Sequence, residues 1–257
     1  YTRDSAVVAI CGDVTEARAE AMAERLLAGL PSGERVALPA ADPEPPAGRG
    51  LVIVDKPDRS QSQTAIATLG THPRDDDHMA LLVANVALGG SFTSRLTQEV
   101  RAKRGWSYNA SSVAMTGRVR EMFALWTAPA AEDTADCLAL ELALLEDWVE
   151  QGITSEELDF CKQYLMRSYP FEVDTPRKRL QQKLEEVLLD LPDRYHADYV
   201  DNVAAVSVAQ ANEAIARRID PSRLWIAVVG DAAELGPEVR EAVGPLGADV
   251  VLHLDSE

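Results

Sequence analysis

Hydrophobic and polar positions alternate with two different periods along the chain, and the segments with the shorter pattern are predicted to be β-strands. Continuous apolar runs at 6–11, 51–54 and 224–229 are typical of buried strands, and residues 63–69 alternate with the period of two that a strand requires. Three further segments are predicted as strands, at 108–115, 122–128 and 250–254.

The longer period, with apolar residues three and four positions apart, predicts helices. Met79, Leu82, Val83 and Val86 form such a stripe, and the alanines between them make nearly the whole segment apolar. We therefore expect a deeply buried helix that ends at Gly89. Other helices are predicted at 15–29, 93–104 and around 138–149, and after the capping residues Thr154, Thr175 and Ser207.

The order of these elements indicates an α+β fold. Strands come first in pairs, helices follow in series over residues 132–219, and one more strand comes directly after them. This order favours a largely antiparallel mixed sheet with helices packed on one face.

A stretch rich in proline and glycine, over residues 31–50, predicts a linker and a domain boundary near residue 46. Residues 6–13 and 224–231 resemble each other, because each is an apolar run that ends in Gly-Asp, and they lie 218 residues apart. The resemblance has two explanations, chance or a duplicated domain. Under duplication, residues 1–45 are the terminal strand, helix and linker of a preceding homologous half, and residues 46–257 form the next half.

Charge and composition exclude several classes of protein. The 257 residues carry a net charge of −17, which argues against nucleic acid or an anionic membrane surface as the main partner. No apolar run is long enough to span a membrane, and the chain opens without methionine or a signal peptide, so we expect a piece of a longer protein. Three widely spaced cysteines predict free, buried thiols and no disulfide framework.

The sequence offers no metal site and no activated nucleophile. A hydrolytic zinc site needs about three protein ligands, yet neither His-x-x-Glu-His nor His-Glu-x-x-His occurs. His72 and His78 flank a proline and a helix start, so we expect a solvated, acidic helix entry there. Gly89-Gly90-Ser91 lacks the spacing of a nucleotide-binding loop, and a tight turn between helices explains it.

The residues from Asn85 to Tyr108 are the most informative part of the chain. Lys103 and Arg104 are expected to complement the dipole of a helix that Gly105 ends. Arg101 and Tyr108 lie on either side of this corner between helix and strand, so their side chains are able to converge. A guanidinium and a phenol together hydrogen-bond a peptide carbonyl and stabilise an oxyanion.

This stretch resembles the signature of the C-terminal half of the pitrilysin/insulinase family of zinc metallopeptidases, which includes the mitochondrial processing peptidases. The match has the family's order and spacing, with Trp106 where the family usually has leucine. The matching residues are Asn85, Leu88, Gly89, Gly90, Phe92, Ser94, Arg95, Leu96, Arg101, Gly105 and Tyr108.

The resemblance implies two similar α+β halves with the mitochondrial-processing-peptidase-like metallohydrolase fold, which close around a peptide substrate. It places zinc in the N-terminal half or in a partner subunit, so no metal ligand and no cofactor is expected in this chain, which alone is expected to be inactive. The resemblance assigns Arg101 and Tyr108 as assisting catalytic residues. Gly89, Gly90, Ser91 and Phe92 are the expected substrate-binding residues.

Two other functions remain open at this stage. Relatives of this family also serve as structural subunits, so the chain is alternatively a catalytically inactive scaffold. A free-standing small-molecule binder, with its ligand at Gly89–Ser91, has weaker support.

Overall fold

The computed structural model of the protein describes residues 2–34, 44 and 46–253. Half of the predicted linker, residues 35–43 and 45, lies outside the described residues. The strands are β1 (Gly50–Asp55), β2 (Gln63–Leu69), β3 (Ala110–Ala114), β4 (Met122–Thr127), β5 (Trp225–Gly230) and β6 (Ala248–His253). The α-helices are α1 (Glu16–Leu27), α2 (His78–Leu88), α3 (Thr134–Gln151), α4 (Ser155–Glu172), α5 (Pro176–Leu188), α6 (Tyr199–Ala205), α7 (Val208–Arg218) and α8 (Ala232–Val243).

The described strands form one six-stranded sheet in the order β3-β4-β2-β5-β1-β6. Strand β1 runs parallel to both β5 and β6. The pairs β2–β4, β2–β5 and β3–β4 are antiparallel. The sheet is therefore mixed and largely antiparallel, as the order of elements predicted.

The helices cover one face of this sheet. On β1, Leu51 and Ile53 point into the core and are fully buried, whereas Val52 and Val54 face the other way and are only half-buried. Helix α2 packs against α4, α7 and β3, and nine of its eleven residues are buried. This confirms the predicted burial of α2 and the α+β class.

The predicted capping residues begin their helices. Thr154 and Ser207 each form a capping box, with Glu157 and Gln210 respectively, at the starts of α4 and α7. Thr175 accepts a hydrogen bond from the backbone of Lys178 at the start of α5. These residues mark the helix starts correctly because a cap pairs the first backbone N–H groups of a helix, which have no partner within the helix itself.

The strand predicted at 6–11 is wrong, because these residues form no strand in the described chain. An apolar run becomes a strand only where a neighbouring strand pairs its backbone groups. The helix that follows, α1, begins at the Thr15 cap as predicted, but none of its residues is buried. Its Leu26 is 66% exposed.

The helix predicted at 93–104 is also partly wrong. Helical structure begins only at residue 95, and Thr97–Lys103 is a π-helix. The Thr97 hydroxyl lies within hydrogen-bond distance, 3.1 Å, of the backbone carbonyls of both Ser91 and Ala110, between which its single hydrogen is shared. These side-chain hydrogen bonds hold residues 91–94 as a loop and compete with a regular helix.

Candidate functional site

The predicted site forms where the end of α2 meets the edge strand β3. The backbone N–H of Ser112 donates to the carbonyl of Gly89 at 3.1 Å. A Cβ atom at Gly89 would lie 2.3 Å from that same nitrogen, so the two backbones approach closely only because residue 89 is glycine. Asn85 joins the same contact, since the Ser112 hydroxyl donates to its Oδ1 at 2.6 Å.

Arg95 is held inside this framework by ion pairs. Its Nε and Nη2 donate to the two carboxylate oxygens of Glu157 at 2.9 Å each, and Nη2 also donates to the Gly152 carbonyl at 2.8 Å. Burial alone would raise the pKa of Glu157, but the hydrogen bonds from Arg95 and Thr154 outweigh it and hold that pKa below its usual value. Arg95 therefore ties the signature stretch to the start of α4.

Arg101 has the opposite surroundings. Its guanidinium carbon lies 4.2 Å from the centre of the Tyr108 ring and 5.5 Å from that of Phe92, both within the range of cation–π contacts. Within residues 2–34 and 46–253 the guanidinium makes no hydrogen bond and no salt bridge. Gly105 adopts a φ of 68°, which allows the chain to turn between the two residues.

The other two cations of the stretch are paired. Lys103 and Arg104 both form salt bridges with Glu99, and Arg104 also donates to the Glu99 carbonyl. Hydrogen bonds from these two side chains lower the pKa of Glu99. The structure thus gives both cations a carboxylate partner in addition to the helix end that the sequence predicted. Arg101 is half-buried and faces two aromatic rings.

One open cavity of about 240 Å³ lies beside Arg101. All six residues predicted for the site line it: Gly89, Gly90, Ser91, Phe92, Arg101 and Tyr108. Phe92 is 76% exposed and Tyr108 is 82% exposed, so both rings are accessible. The structure therefore brings the predicted residues together at an accessible surface.

The cavity has one wall that sequence reasoning missed. Tyr164, from α4, also lines it and is 40% exposed. Its ring stacks on that of Phe160, with 6.1 Å between the ring centres. The available signal was two aromatic residues four positions apart on α4, a pattern equally typical of core packing.

The described residues contain no group of three or more His, Cys, Asp or Glu side chains that could hold a metal ion. His78 is not solvated as predicted but buried, with its ring nitrogens 2.8 Å from the hydroxyls of Thr71 and Tyr195. Burial lowers the pKa of His78 to about 4, so it is neutral near pH 7. Apolar α2 draws this residue into the core, which explains the wrong prediction.

The cysteines differ from the prediction at one position. Cys137 and Cys161 are buried, but Cys11 is exposed, and all three are free. Cys11 lies in the segment that forms no strand, so no sheet covers it. The prediction of burial failed there because it depended on that strand.

A buried carboxyl lies in the core, away from this cavity. Glu141, on α3, accepts hydrogen bonds from the hydroxyls of Thr64 and Thr127, at 3.4 and 3.2 Å. Its Oε1 atom has no partner among the described residues. Burial raises the pKa of Glu141 to about 8, the largest cause being loss of water around the charged form.

The family follows from comparison with known proteins. A sequence profile described as the peptidase M16 inactive domain matches residues 1–165. The chain belongs to this zinc protease family, as its signature indicated, and what it matches is the inactive domain.

Individual relatives agree with that assignment. An uncharacterized zinc protease of Mycobacterium tuberculosis is 26% identical over 249 residues, which cover 95% of this chain and 56% of that protein. A Helicobacter pylori protein described as a non-peptidase homolog is 24% identical over 144 residues, or 56% of this chain and 33% of that protein. The chain therefore spans only a third to just over half of these relatives.

The fold has a solved counterpart. The crystal structure of a peptidase M16 inactive domain from Pseudomonas fluorescens superposes with a TM-score of 0.73 and 27% identity, covering 86% of this chain and 52% of that one. This similarity supports the fold of the inactive domain. None of the helices described here is long and apolar enough to cross a membrane.

Proposed function

We propose that this chain is the zinc-less half of a metallopeptidase, which binds an unstructured peptide and assists its hydrolysis by a partner half. In this proposal Arg101 and Tyr108 contact the peptide, and Gly89, Gly90, Ser91 and Phe92 form the surface on which it lies. The observation that carries the proposal is the Arg101 guanidinium, which lies against two exposed rings at an open cavity with its N–H groups unpaired in the described chain.

Unpaired donors beside an open cavity suit a peptide carbonyl. The guanidinium offers several N–H donors in one plane, and the phenol of Tyr108 offers one O–H donor. Both groups would donate to the oxygen of the scissile carbonyl, whose negative charge grows as the carbonyl carbon is attacked. The rings on either side hold Arg101 in place without a carboxylate that would compete for the same hydrogen bonds.

The zinc is proposed to belong to the partner half, because the described residues of this chain do not fit a zinc site. Such an ion supplies the activated water of this class of reaction. The tasks left to this chain are to bind the peptide, to orient it and to stabilise the charge on its carbonyl.

Residues 1–45 are proposed to belong to the preceding homologous half, and residues 46–257 to the following one. Residues 6–11 form no strand within the described chain and α1 buries no residue. In the similar β5–α8 unit, β5 is paired in the sheet and Leu235, Val239 and Val243 of α8 are buried. Hydrogen exchange should then be fast at 6–11 in this chain and slow once the preceding half is attached. Equal exchange in both would contradict the proposed boundary.

The test of function is peptide hydrolysis by this chain assembled with a zinc-bearing half. We expect Arg101→Met and Tyr108→Phe each to lower turnover about 100-fold, since each removes one donor to the developing oxyanion. Arg104→Met is the matched control, because this nearby arginine pairs with Glu99 and does not line the cavity. Turnover equal in all three variants would contradict the assigned roles.

The second candidate is a catalytically inactive structural subunit of the same family. The Helicobacter pylori relative described as a non-peptidase homolog favours it. Under this alternative, the assembled protein hydrolyses no peptide, and Arg101→Met leaves the stability and composition of the complex unchanged.

A further inference from the structure

We propose that a second cavity, which lies between α4, α5 and α6, binds an alkylammonium group. This cavity has a volume of about 530 Å³ and shares no lining residue with the cavity beside Arg101. The ligand class is a primary ammonium on a short aliphatic chain, as in a diamine or in the side chain of lysine. The proposal depends on residues outside the signature stretch and is independent of the proposed peptidase function.

Aromatic rings form one wall of this second cavity. Tyr169 from α4 and Tyr199 from α6 both line it, and their rings stack with 4.7 Å between the ring centres. The Tyr169 hydroxyl donates to the backbone carbonyl of His196 at 2.7 Å. Tyr195 adds a third ring, whose hydroxyl lies 2.8 Å from Nε2 of His78. The rings are thus held in place by their own contacts, and ring faces gathered around one cavity attract ammonium groups.

Two carboxylates supply negative charge at the same cavity. Glu172, the last residue of α4, forms no salt bridge and no side-chain hydrogen bond with the described residues. Glu185, on α5, accepts a hydrogen bond from the Gln181 amide at 3.1 Å, and its Oε2 lies 3.7 Å from Nε2 of His196. Burial lowers the pKa of His196, so this ring is neutral near pH 7 and gives Glu185 no countercharge.

The lysine that lines the cavity is engaged elsewhere. The ammonium of Lys178 lies 3.1 Å from the Asp174 carboxylate and also donates to the backbone carbonyl of Phe171. Lys178 is the one lysine or arginine among the described lining residues. The carboxylates of Glu172 and Glu185 therefore face the cavity without a cation of this chain to balance them, and a positively charged ligand would do so.

The rest of the lining suits an aliphatic chain and not a bare metal ion. Leu82, Leu189 and Leu191 also line the cavity and offer apolar surface to methylene groups. A cavity of about 150 Å³ is enough to bind benzene, so about 530 Å³ has room for a chain of several carbons. No group of three or more metal-binding side chains occurs among the described residues, which includes those around this cavity.

The experiment follows the amide NMR signals of the full chain as ligands are added at constant ionic strength. The ligands are cadaverine, which is a five-carbon diamine, the methylamide of N-acetyl-lysine, and 1,5-pentanediol as a neutral analogue of cadaverine. We expect Glu172→Gln to weaken ammonium binding at least about 3-fold and Tyr199→Leu to weaken it about 5-fold. Each variant is checked for native thermal unfolding, and Glu172 is exposed, so its substitution should leave the fold intact.

Two matched controls lie on the same helix. Glu156→Gln removes the same charge at an exposed position, and Phe171→Leu removes an exposed ring, and neither residue lines the cavity. Both variants should bind the ammonium ligands as the wild type does. An equal loss in Glu156→Gln and Glu172→Gln would overturn the proposal, because it would reduce binding to general attraction by a chain of charge −17.

The ligands distinguish the two sources of the ammonium group. Tighter binding of cadaverine, dependent on Glu172, assigns the cavity to a free diamine. Binding of the lysine derivative that is as tight or tighter, with the same dependence, assigns it to a lysine side chain. The proposal fails if neither ammonium ligand binds, or if 1,5-pentanediol binds as tightly as cadaverine does.

Discussion

The stretch from Asn85 to Tyr108 contains two sets of residues that the fold uses in opposite ways. The inward set lies against β3 and α4, and its polar groups are satisfied within the chain. The outward set lies at the cavity, with exposed rings and an unpaired guanidinium in the described residues. The inward set is Asn85 and Arg95, together with the backbone of Gly89, which contacts β3 and also lines the cavity. The outward set is Phe92, Arg101 and Tyr108.

The two arginines show what this difference teaches. Arg95 and Arg101 are six residues apart and chemically identical, yet one is bound to a carboxylate and the other rests between aromatic rings. A shared signature therefore combines residues that build the site with residues that are free to act in it. Substitutions should separate the two sets, because the inward residues should affect stability and the outward ones should affect peptide binding.

The largest expected effect on stability is that of Gly89→Ala. The added methyl group would collide with the Ser112 backbone nitrogen and with Leu96, so we expect a loss of about 3 kcal/mol in the free energy of unfolding. Chemical denaturation measures it. Gly29→Ala is the control, since its Cβ would meet open space. If Gly89→Ala lowers the free energy of unfolding no more than Gly29→Ala does, α2 and β3 do not approach each other closely at Gly89.

The next effect separates the two arginines directly. Arg95→Met should cost about 2 kcal/mol, because it leaves the half-buried Glu157 carboxylate without its countercharge. Arg101→Met should change the free energy of unfolding by less than about 0.5 kcal/mol, since its guanidinium forms no hydrogen bond and no salt bridge with the described residues. The same denaturation experiment measures both. Equal losses for the two variants would break the distinction between the inward and outward sets.

A third, smaller effect concerns the pH dependence of stability. It compares Glu141, a buried carboxyl without a countercharge, with Glu157, which is paired with Arg95. The pKa of Glu141 is raised to about 8 in the folded chain from a usual value of 4.5. Between these pH values the unfolded chain releases a proton that the folded chain keeps, so stability falls as pH rises through this window. Glu141→Gln cannot ionise and should gain about 1–2 kcal/mol relative to wild type between pH 5 and pH 8.

The controls for the Glu141→Gln experiment are Glu157, which is paired with Arg95, and Glu150, which is exposed. The contribution of the Arg95–Glu157 pair to the stability of the wild type should stay constant above pH 6, because the lowered pKa of Glu157 keeps that carboxylate charged in the folded wild type there. Glu150→Gln, on the exposed side of the same helix as Glu141, should follow the wild-type pH profile. Parallel profiles for Glu141→Gln and wild type would mean that Glu141 is charged in the folded protein.

Local sequence signals predicted much of the fold and the centre of the site. Capping residues such as Thr154 and Ser207 marked their helices, because a cap is formed by residues three positions apart. The corner at Gly105 likewise made it possible for Arg101 and Tyr108 to converge, and the Arg101 guanidinium carbon lies 4.2 Å from the centre of the Tyr108 ring. Both predictions depend on short stretches of chain, where geometry follows directly from sequence.

Features that depend on packing between distant parts of the chain could not be predicted from the sequence. Tyr164 reaches the cavity from another helix, and nothing local to α4 shows that it faces Arg101. Residues 6–11 have the composition of a strand but no partner strand among the residues that the structure describes. His78 has a polar side chain that the apolar helix around it buries. Each of these outcomes is decided by what surrounds the residue and not by its own neighbours in sequence.

The most direct test of the central claim observes both guanidinium groups in one sample. Nitrogen-15 NMR of the arginine Nε–H groups, assigned by Arg95→Lys and Arg101→Lys, follows each signal as an unstructured peptide is added up to saturation. We predict that the Arg101 signal shifts with peptide concentration while that of Arg95 stays in place. An Arg101 signal that does not move when the peptide is fully bound would contradict the assignment of this residue to the peptide.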